Sequence, residues 1–350
     1  MRQAQYDLVS MGRSSIDLYS NDSGAPFAEI SNFAAFVGGC PTNIAVGACR
    51  LGLRTLLLTA TGDDPVSDFV LKFLRAEKVE TAYIPCKPGF RTSAVILGIE
   101  PPDKYPLVFY RENCADLQIN IDDVTATPIE QAKILLVSGT GFSREPSRSA
   151  TIFAIEQAHR QGVKVILDLD FRADQWLTNS GDVRHYGVTI RSLLPRIDIV
   201  LGTQEEVKAA TLTDKSQVKV AHSQVSSPEV EGNEREAIAS ILSCGPQQLI
   251  VKRGADGASV HFPNGESVTS KPFKVEVVNV LGAGDAFAAG LIYGIVKGWS
   301  WEKCLRMGNA IGAIVVTRQG CANFMPFESE ALEFVAANGG FAKEGVAGPC

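Results

Sequence analysis

A doubly wound α/β domain carrying a small β-sheet lid is the fold that this 350-residue chain predicts, and three observations predict it. Short, unalternating runs of Val, Ile and Leu recur with helical stretches between them. Glycine-rich turns stand before two helical stretches. Two extended segments, far apart in sequence, break the rhythm. Unalternating apolar runs suit parallel strands buried on both faces, and strand–helix repetition builds the doubly wound sheet.

In chain order, "YDLVSMG" (6–12) and "TLLLTATG" (55–62) read as the first strands of that sheet. Between them, 14–37 reads as extended, and "FVGGCPTNIAVGACRLG" (36–52) as a glycine turn into a helix capped by Thr42 or Asn43. Residues 92–112 read as a hairpin turning through "EPPDKYP". Paired with 14–37, they form a lid over the strand ends, where doubly wound folds bind ligands. From residue 132 the rhythm becomes regular, with strands "AKILLVSG" (132–139), "VKVILDLD" (163–170), "IDIVLGT" (197–203) and "QLIVKRG" (248–254). The stretch "PSRSATIFAIEQAHRQG" (146–162) has Ile152, Ile155 and Ala158 at helical spacing before Gly162 stops it. Residues 214–236 are polar and read as a surface insertion. Residues 1–330 thus form one domain, and 331–350 a C-terminal helix and tail.

With 45% hydrophobic and 21% charged residues the composition is that of an ordinary globular chain. Net charge is −6 with scattered Lys and Arg, so neither nucleic acid nor a membrane is an expected partner. The first residues lack a signal-peptide core, and the longest apolar run, Ala286 to Val296, is about half a bilayer span; a cytoplasmic protein is expected. Eight cysteines include no C-x-x-C pair and no zinc-ligand spacing, so reduced, packed thiols are expected.

"NVLGAGDAFAAGLIYGI" (279–295) carries the strongest chemical signal. Gly282, Ala283 and Gly284 open an apolar helix with Asp285 in its first turn. Backbone N–H groups can converge there on an anion, aided by the helix dipole. A carboxylate beside such a cradle can take a hydroxyl proton while the cradle stabilises a transferring phosphoryl group. An Asp helix cap is the competing account. No P-loop exists in the chain, and Phe287 breaks a G-x-G-x-x-G dinucleotide fingerprint. "LDLDFRADQW" (167–176) puts Arg172 beyond a strand end, as a phosphate contact or a surface ion pair.

The two glycine motifs, in order and well separated, resemble the N- and C-terminal signatures of the ribokinase (PfkB-type) carbohydrate kinases, and the resemblance runs from Asp7 to Pro326. It implies a ribokinase-like sandwich with a β lid, ATP and Mg²⁺ as co-substrate and metal, and phosphorylation of a sugar hydroxymethyl group. Asp285 falls on the family's catalytic base and residues 282–284 on its anion hole. Asp17, Gly39 and Asn43 fall on sugar-binding positions, and Lys252, Gly254 and Asn309 on nucleotide-side ones. Glu206 falls on the carboxylate acting near magnesium and phosphate, although "GTQEE" has Thr203 where that motif has Asn. Asn279 and Val280 replace the usual Asp-Thr, a departure from members activated by a monovalent cation, while "TRQGC" (317–321) resembles part of such a cation site.

The run "FYRENCADLQI" (109–119) resembles the branch that phosphorylates keto-deoxy sugar acids, in which a lid Tyr-Arg pair meets the open-chain substrate. Tyr110 and Arg111 match it, and a guanidinium can fork onto a carboxylate. Pairing of Arg111 with Glu112 or Asp116 is the alternative. The expected partners are a small sugar acid and ATP, with a second copy of the chain docked through the lid. Rivals are a neutral ketohexose as substrate and a non-catalytic sugar-binding regulator.

Overall fold

The computed structural model describes residues 4–100, 105–180, 183–219 and 228–341. Part of the turn expected at 100–106, residues 220–227 of the polar stretch, and 342–350 of the tail lie outside them.

An eight-stranded sheet forms the centre. From one edge its strands are Thr55–Leu58, Tyr6–Met11, Ala132–Ser138, Lys164–Asp168, Ile199–Thr203 and Gln248–Lys252, all parallel, then Ala258–His261 and Ser267–Ser270, antiparallel. The unalternating runs have a direct cause. Val9, Leu135, Val137, Val165 and Leu167 bury into one core, while Leu8, Ile134, Leu136 and Ile166 bury into another on the opposite face. A strand covered on both sides has no solvent face to make polar.

Helix Ser147–Arg160 covers the first core, and Gly162 follows it with φ +71°, beyond the helix end. Helices Cys40–Arg50, Ala283–Val296 and Trp301–Val316 cover the second. The last two pack with little between them; a Cβ at Gly290 would meet Ile311 at 2.7 Å, and one at Gly294 would meet the Cys304 thiol at 2.7 Å. Small residues let these backbones approach, which explains a run too apolar to show a helical stripe.

The lid is a separate four-stranded sheet ordered Phe33–Gly38, Ser15–Ser20, Ser93–Leu97, Leu107–Tyr110. It is antiparallel except at its central pair, where Asp17 lies opposite Val95 in parallel register. Both extended segments therefore pair as their composition suggests. The polar stretch is less bare than expected: Val218–Lys219 pairs with Glu229–Val230, and Asn233 caps helix Glu234–Ser243 with its side chain. The cysteines within the described residues are free thiols.

Candidate functional site

The site gathers where the carboxyl ends of the central strands meet the root of the lid. The polypeptide passes from the first central strand at Met11 to the first lid strand at Ser15. Gly38, which ends the next lid strand, and Gly39 just after it let the junction close. A Cβ at Gly38 would overlap the Asp17 carboxylate, 1.9 Å away, and one at Gly39 would strike the Arg13 carbonyl oxygen at 2.3 Å. Gly39 also has φ +108°, outside the range of L side chains.

Helix Cys40–Arg50 begins at Gly39 without a side-chain cap, which corrects the capping expected of Thr42 or Asn43. Both lie inside the helix and reach out of it. Thr42 Oγ1 donates to the Arg13 carbonyl oxygen at 3.0 Å, and Asn43 Nδ2 donates to Asp285 Oδ2 at 2.7 Å. Asn43 Oδ1 is buried without a hydrogen-bond partner, an acceptor left for something else.

Gly282 takes a left-handed φ of +82° at the N-cap of Ala283–Val296, and a Cβ there would meet Cys321 Sγ at 2.6 Å. Asp285 is in the first helical turn, but it is held by Asn43 and not used as a cap. Burial pushes its carboxyl upward, and Asp170 adds to that, whereas the Asn43 N–H, Lys252 and Arg172 pull it down. An Asp so placed is a stronger base than a solvated one.

Lys252 ends its strand with Nζ 3.4 Å from Asp168, and a Cβ on Gly284 would lie 3.2 Å from that ammonium. A cation at a helix N-terminus meets the positive end of the dipole. Two positive features aimed at one place suit an anion between them. Arg172 Nε donates to Asp170 Oδ1 at 2.9 Å, and the Arg172 charge helps hold Asp170 below its ordinary range despite burial. Asp168 goes the other way, raised by burial with Glu206, Asp170 and Asp285 nearby.

Other expected site residues have structural partners. Both carboxylate oxygens of Glu206 accept backbone N–H groups, from Thr203 at 2.7 Å and Phe171 at 3.3 Å, so its charge acts on Lys252 and Arg172 from a fixed position. Thr203, in place of the family's Asn, closes a reciprocal capping box with it. Asn309 Nδ2 braces the end of the last sheet strand through Ser270 and Lys271 carbonyls at 3.1 and 3.0 Å. Gly254 opens a 3₁₀ turn just beyond Lys252 with no atom within 4 Å of an added Cβ. Asn279 bridges the stretch that resembles a cation site: Nδ2 donates to the Gln319 carbonyl oxygen at 2.9 Å, and Oδ1 accepts from Leu281 N at 3.0 Å.

The two readings of Arg111 meet in the lid, and the geometry favours the ion pair. Its Nε and Nη2 both approach Asp116 Oδ2 at 2.7 Å, while Nη1 donates to Gln175 Oε1 at 2.6 Å and the Thr140 carbonyl at 3.2 Å. Tyr110 is 57% exposed. A cavity of about 70 Å³ lined by Phe109, Arg111, Arg144 and Asp174 lies beside them, smaller than a sugar.

Sequence reasoning missed Arg13, read Thr42 only as a helix cap, and gave Asp168 no role beyond its place at a strand end. Arg13 did leave a visible trace, a charged residue between an apolar strand and "SSIDLYS".

Comparison with known proteins agrees with this architecture. Residues 5–328 match the model of the pfkB family carbohydrate kinases. A protein named 5-dehydro-2-deoxygluconokinase from Geobacillus thermodenitrificans is 31% identical over 334 residues, covering 95% of this chain and 94% of that protein. One of the same name from Bacillus anthracis is 31% identical over 331 residues, covering 94% of this chain and 95% of its own length. A solved structure described as a putative ribokinase II from E. coli with ATP and Mg²⁺ superposes with TM-score 0.81 at 20% identity, over 95% of this chain and 99% of that one. Fructokinase with bound ATP from Xylella fastidiosa gives 0.79 at 22% identity, over 95% and 98%. At such identities these structures speak for the fold.

Proposed function

The chain belongs to the pfkB family of carbohydrate kinases and is a sugar kinase, and from that premise we propose that it transfers the γ-phosphoryl group of ATP to the 6-hydroxyl of 5-dehydro-2-deoxy-D-gluconate. The observation that carries this reading is the Asp285 carboxylate, held by Asn43 beside a left-handed glycine at the head of a buried helix. The named relatives supply the substrate.

In this reading Asp17 and Asn43 hold the sugar hydroxyls, and the unpartnered Asn43 Oδ1 accepts one of them. Asp285 accepts the proton of the attacking hydroxyl as its oxygen bonds to phosphorus and the bond to the departing ADP oxygen breaks. N–H groups at 282–284 receive the phosphoryl oxygens, with Lys252 and Arg172 adding charge. Lys252, Gly254 and Asn309 form the nucleotide side, the last through its hold on Ser270 and Lys271.

Mg²⁺, when bound, neutralises phosphate charge. Among the described residues no three acidic, His or Cys side chains cluster as a metal cage, so phosphate and water would supply most of its ligands, with Asp168 the nearby acid and Glu206 acting indirectly. The Asn279 bridge supports a site that keeps its shape without a monovalent cation. We also read the lid as a dimer interface, supported by the exposure of Phe27, Phe33 and Tyr110 there.

The test is ADP release across a panel of 5-dehydro-2-deoxy-D-gluconate, 2-dehydro-3-deoxy-D-gluconate and fructose. The first should have the highest kcat/KM. Preference for fructose by tenfold or more would make the enzyme a neutral-sugar kinase.

A further inference from the structure

We propose that Arg13 is the anchor for the substrate carboxylate, and that it sets the preference for an acid over a neutral sugar. The proposal rests on the sugar-acid reading above and assigns the residue that enforces it.

Arg111 is paired with Asp116, Arg172 with Asp170 and Lys252 with Asp168, each within 3.4 Å. Arg13 is only 8% exposed, and among the described residues no carboxylate comes within ion-pair distance of it. Its Nη1 donates to Ser15 Oγ at 2.9 Å, which in turn donates to Asp17 Oδ1 at 2.7 Å, so it meets that acid through a hydroxyl. Its Nε is buried with no acceptor at all. A buried guanidinium with an unused donor is costly unless something anionic completes it. A planar carboxylate is the group that a guanidinium edge fits best.

Position points the same way. Arg13 lies at the junction of central sheet and lid, its backbone fixed by Thr42 and the adjacent Ser14 carbonyl by Ser93. Its guanidinium carbon stands 5.3 Å from the centre of the Phe109 ring, which leaves an apolar wall on that side. Phe109 is also a wall of the small lid cavity. Two connected polar groups thus share this junction, Arg13–Ser15–Asp17 at the lid root and Asn43–Asp285 between the two helices, with the Asp285 charge felt at Asp17. In this proposal the reacting hydroxyl of an open-chain acid meets the second and its carboxylate the first. Of the acids that feel the Arg13 charge, Asp170 is paired with Arg172, and Asp17 meets Arg13 only through the Ser15 hydroxyl.

The test compares Arg13→Gln, Arg13→Lys and Arg111→Gln with the wild type in steady-state kinetics. Arg13→Gln should lower kcat/KM for 5-dehydro-2-deoxy-D-gluconate by roughly 30-fold or more while KM for ATP stays within about 3-fold. Arg13→Lys should recover part of the loss. Thermal stabilisation by the sugar acid alone should disappear in Arg13→Gln, and fructose turnover should fall much less than acid turnover. A loss under about 3-fold, equal losses for acid and fructose, or a larger acid-specific loss in Arg111→Gln overturns the proposal. If Arg13→Gln does not fold, Arg13→Lys decides: full acid activity overturns it and an acid-specific loss supports it. A wild-type enzyme inactive on both keto-deoxy acids removes the proposal together with the reading beneath it, and that result needs no variant to be seen.

Discussion

Asp17, proposed above to bind the sugar, shows what such a role costs the free protein. Burial lifts its carboxyl from 3.8 to about 6, against the opposing pull of Arg13 and of the Ser15 hydroxyl. In the unfolded chain it would titrate near its ordinary value, so folding above pH 6 must strip a carboxylate of water. The sign is that of a raised acid: stability is fully present below about pH 4 and lost as pH rises through 6. A gap of about two pH units corresponds to on the order of 3 kcal/mol. Asp17→Asn should therefore melt higher than wild type at pH 8, with the difference shrinking as pH falls toward 4.5, while sugar phosphorylation is largely lost. Melting curves across that range check it; a difference independent of pH contradicts it. Asp285 was legible from sequence because it directly follows a glycine turn that opens a helix, and Asp17 only through the family resemblance. Arg13 was not, because its lack of a partner is a property of the folded interior. Arg111 was legible as a lid residue, but its commitment to Asp116 depends on a turn five residues long that brings the two together.

At the scale of elements, the buried strands announced themselves because both faces need apolar side chains. The lid strands were legible as extended, but their order, with the strand Ser15–Ser20 between Phe33–Gly38 and Ser93–Leu97, comes from long-range pairing that local sequence does not encode. Helix capping was the element-level error. Thr42 and Asn43 are good N-cap types, but Gly39 takes the cap position and releases both side chains to Arg13 and Asp285. A tertiary demand overrode a local preference. The lid also carries an outward consequence. Phe27, Phe33 and Tyr110 are 36%, 37% and 57% exposed, and an uncovered sheet with aromatic side chains invites a second copy. Light scattering should give the mass of a dimer at micromolar concentration, and Tyr110→Glu with Phe33→Glu should return it to one chain. A single-chain mass for the unaltered protein rules the interface out.

For the whole molecule, the parallel sheet sets the strand ends that hold Asp168, Lys252 and, just beyond, Arg172. The lid supplies Asp17, the adjoining helix Asn43, and the late helix Asp285. No helix among the described residues is long and apolar enough to cross a membrane. Side chains more than 240 residues apart meet at 2.7 Å only because two glycine turns converge. Such convergence serves chemistry more plainly than stability, since it buries Asp285 with Asp170 nearby to raise it further. The most direct measurement of that claim is the turnover number of Asp285→Asn with 5-dehydro-2-deoxy-D-gluconate and ATP, beside the affinities for both. If Asp285 takes the hydroxyl proton, kcat falls by about 10²–10⁴-fold while both affinities stay within a few-fold. A variant that keeps kcat within tenfold of the unaltered enzyme contradicts the account.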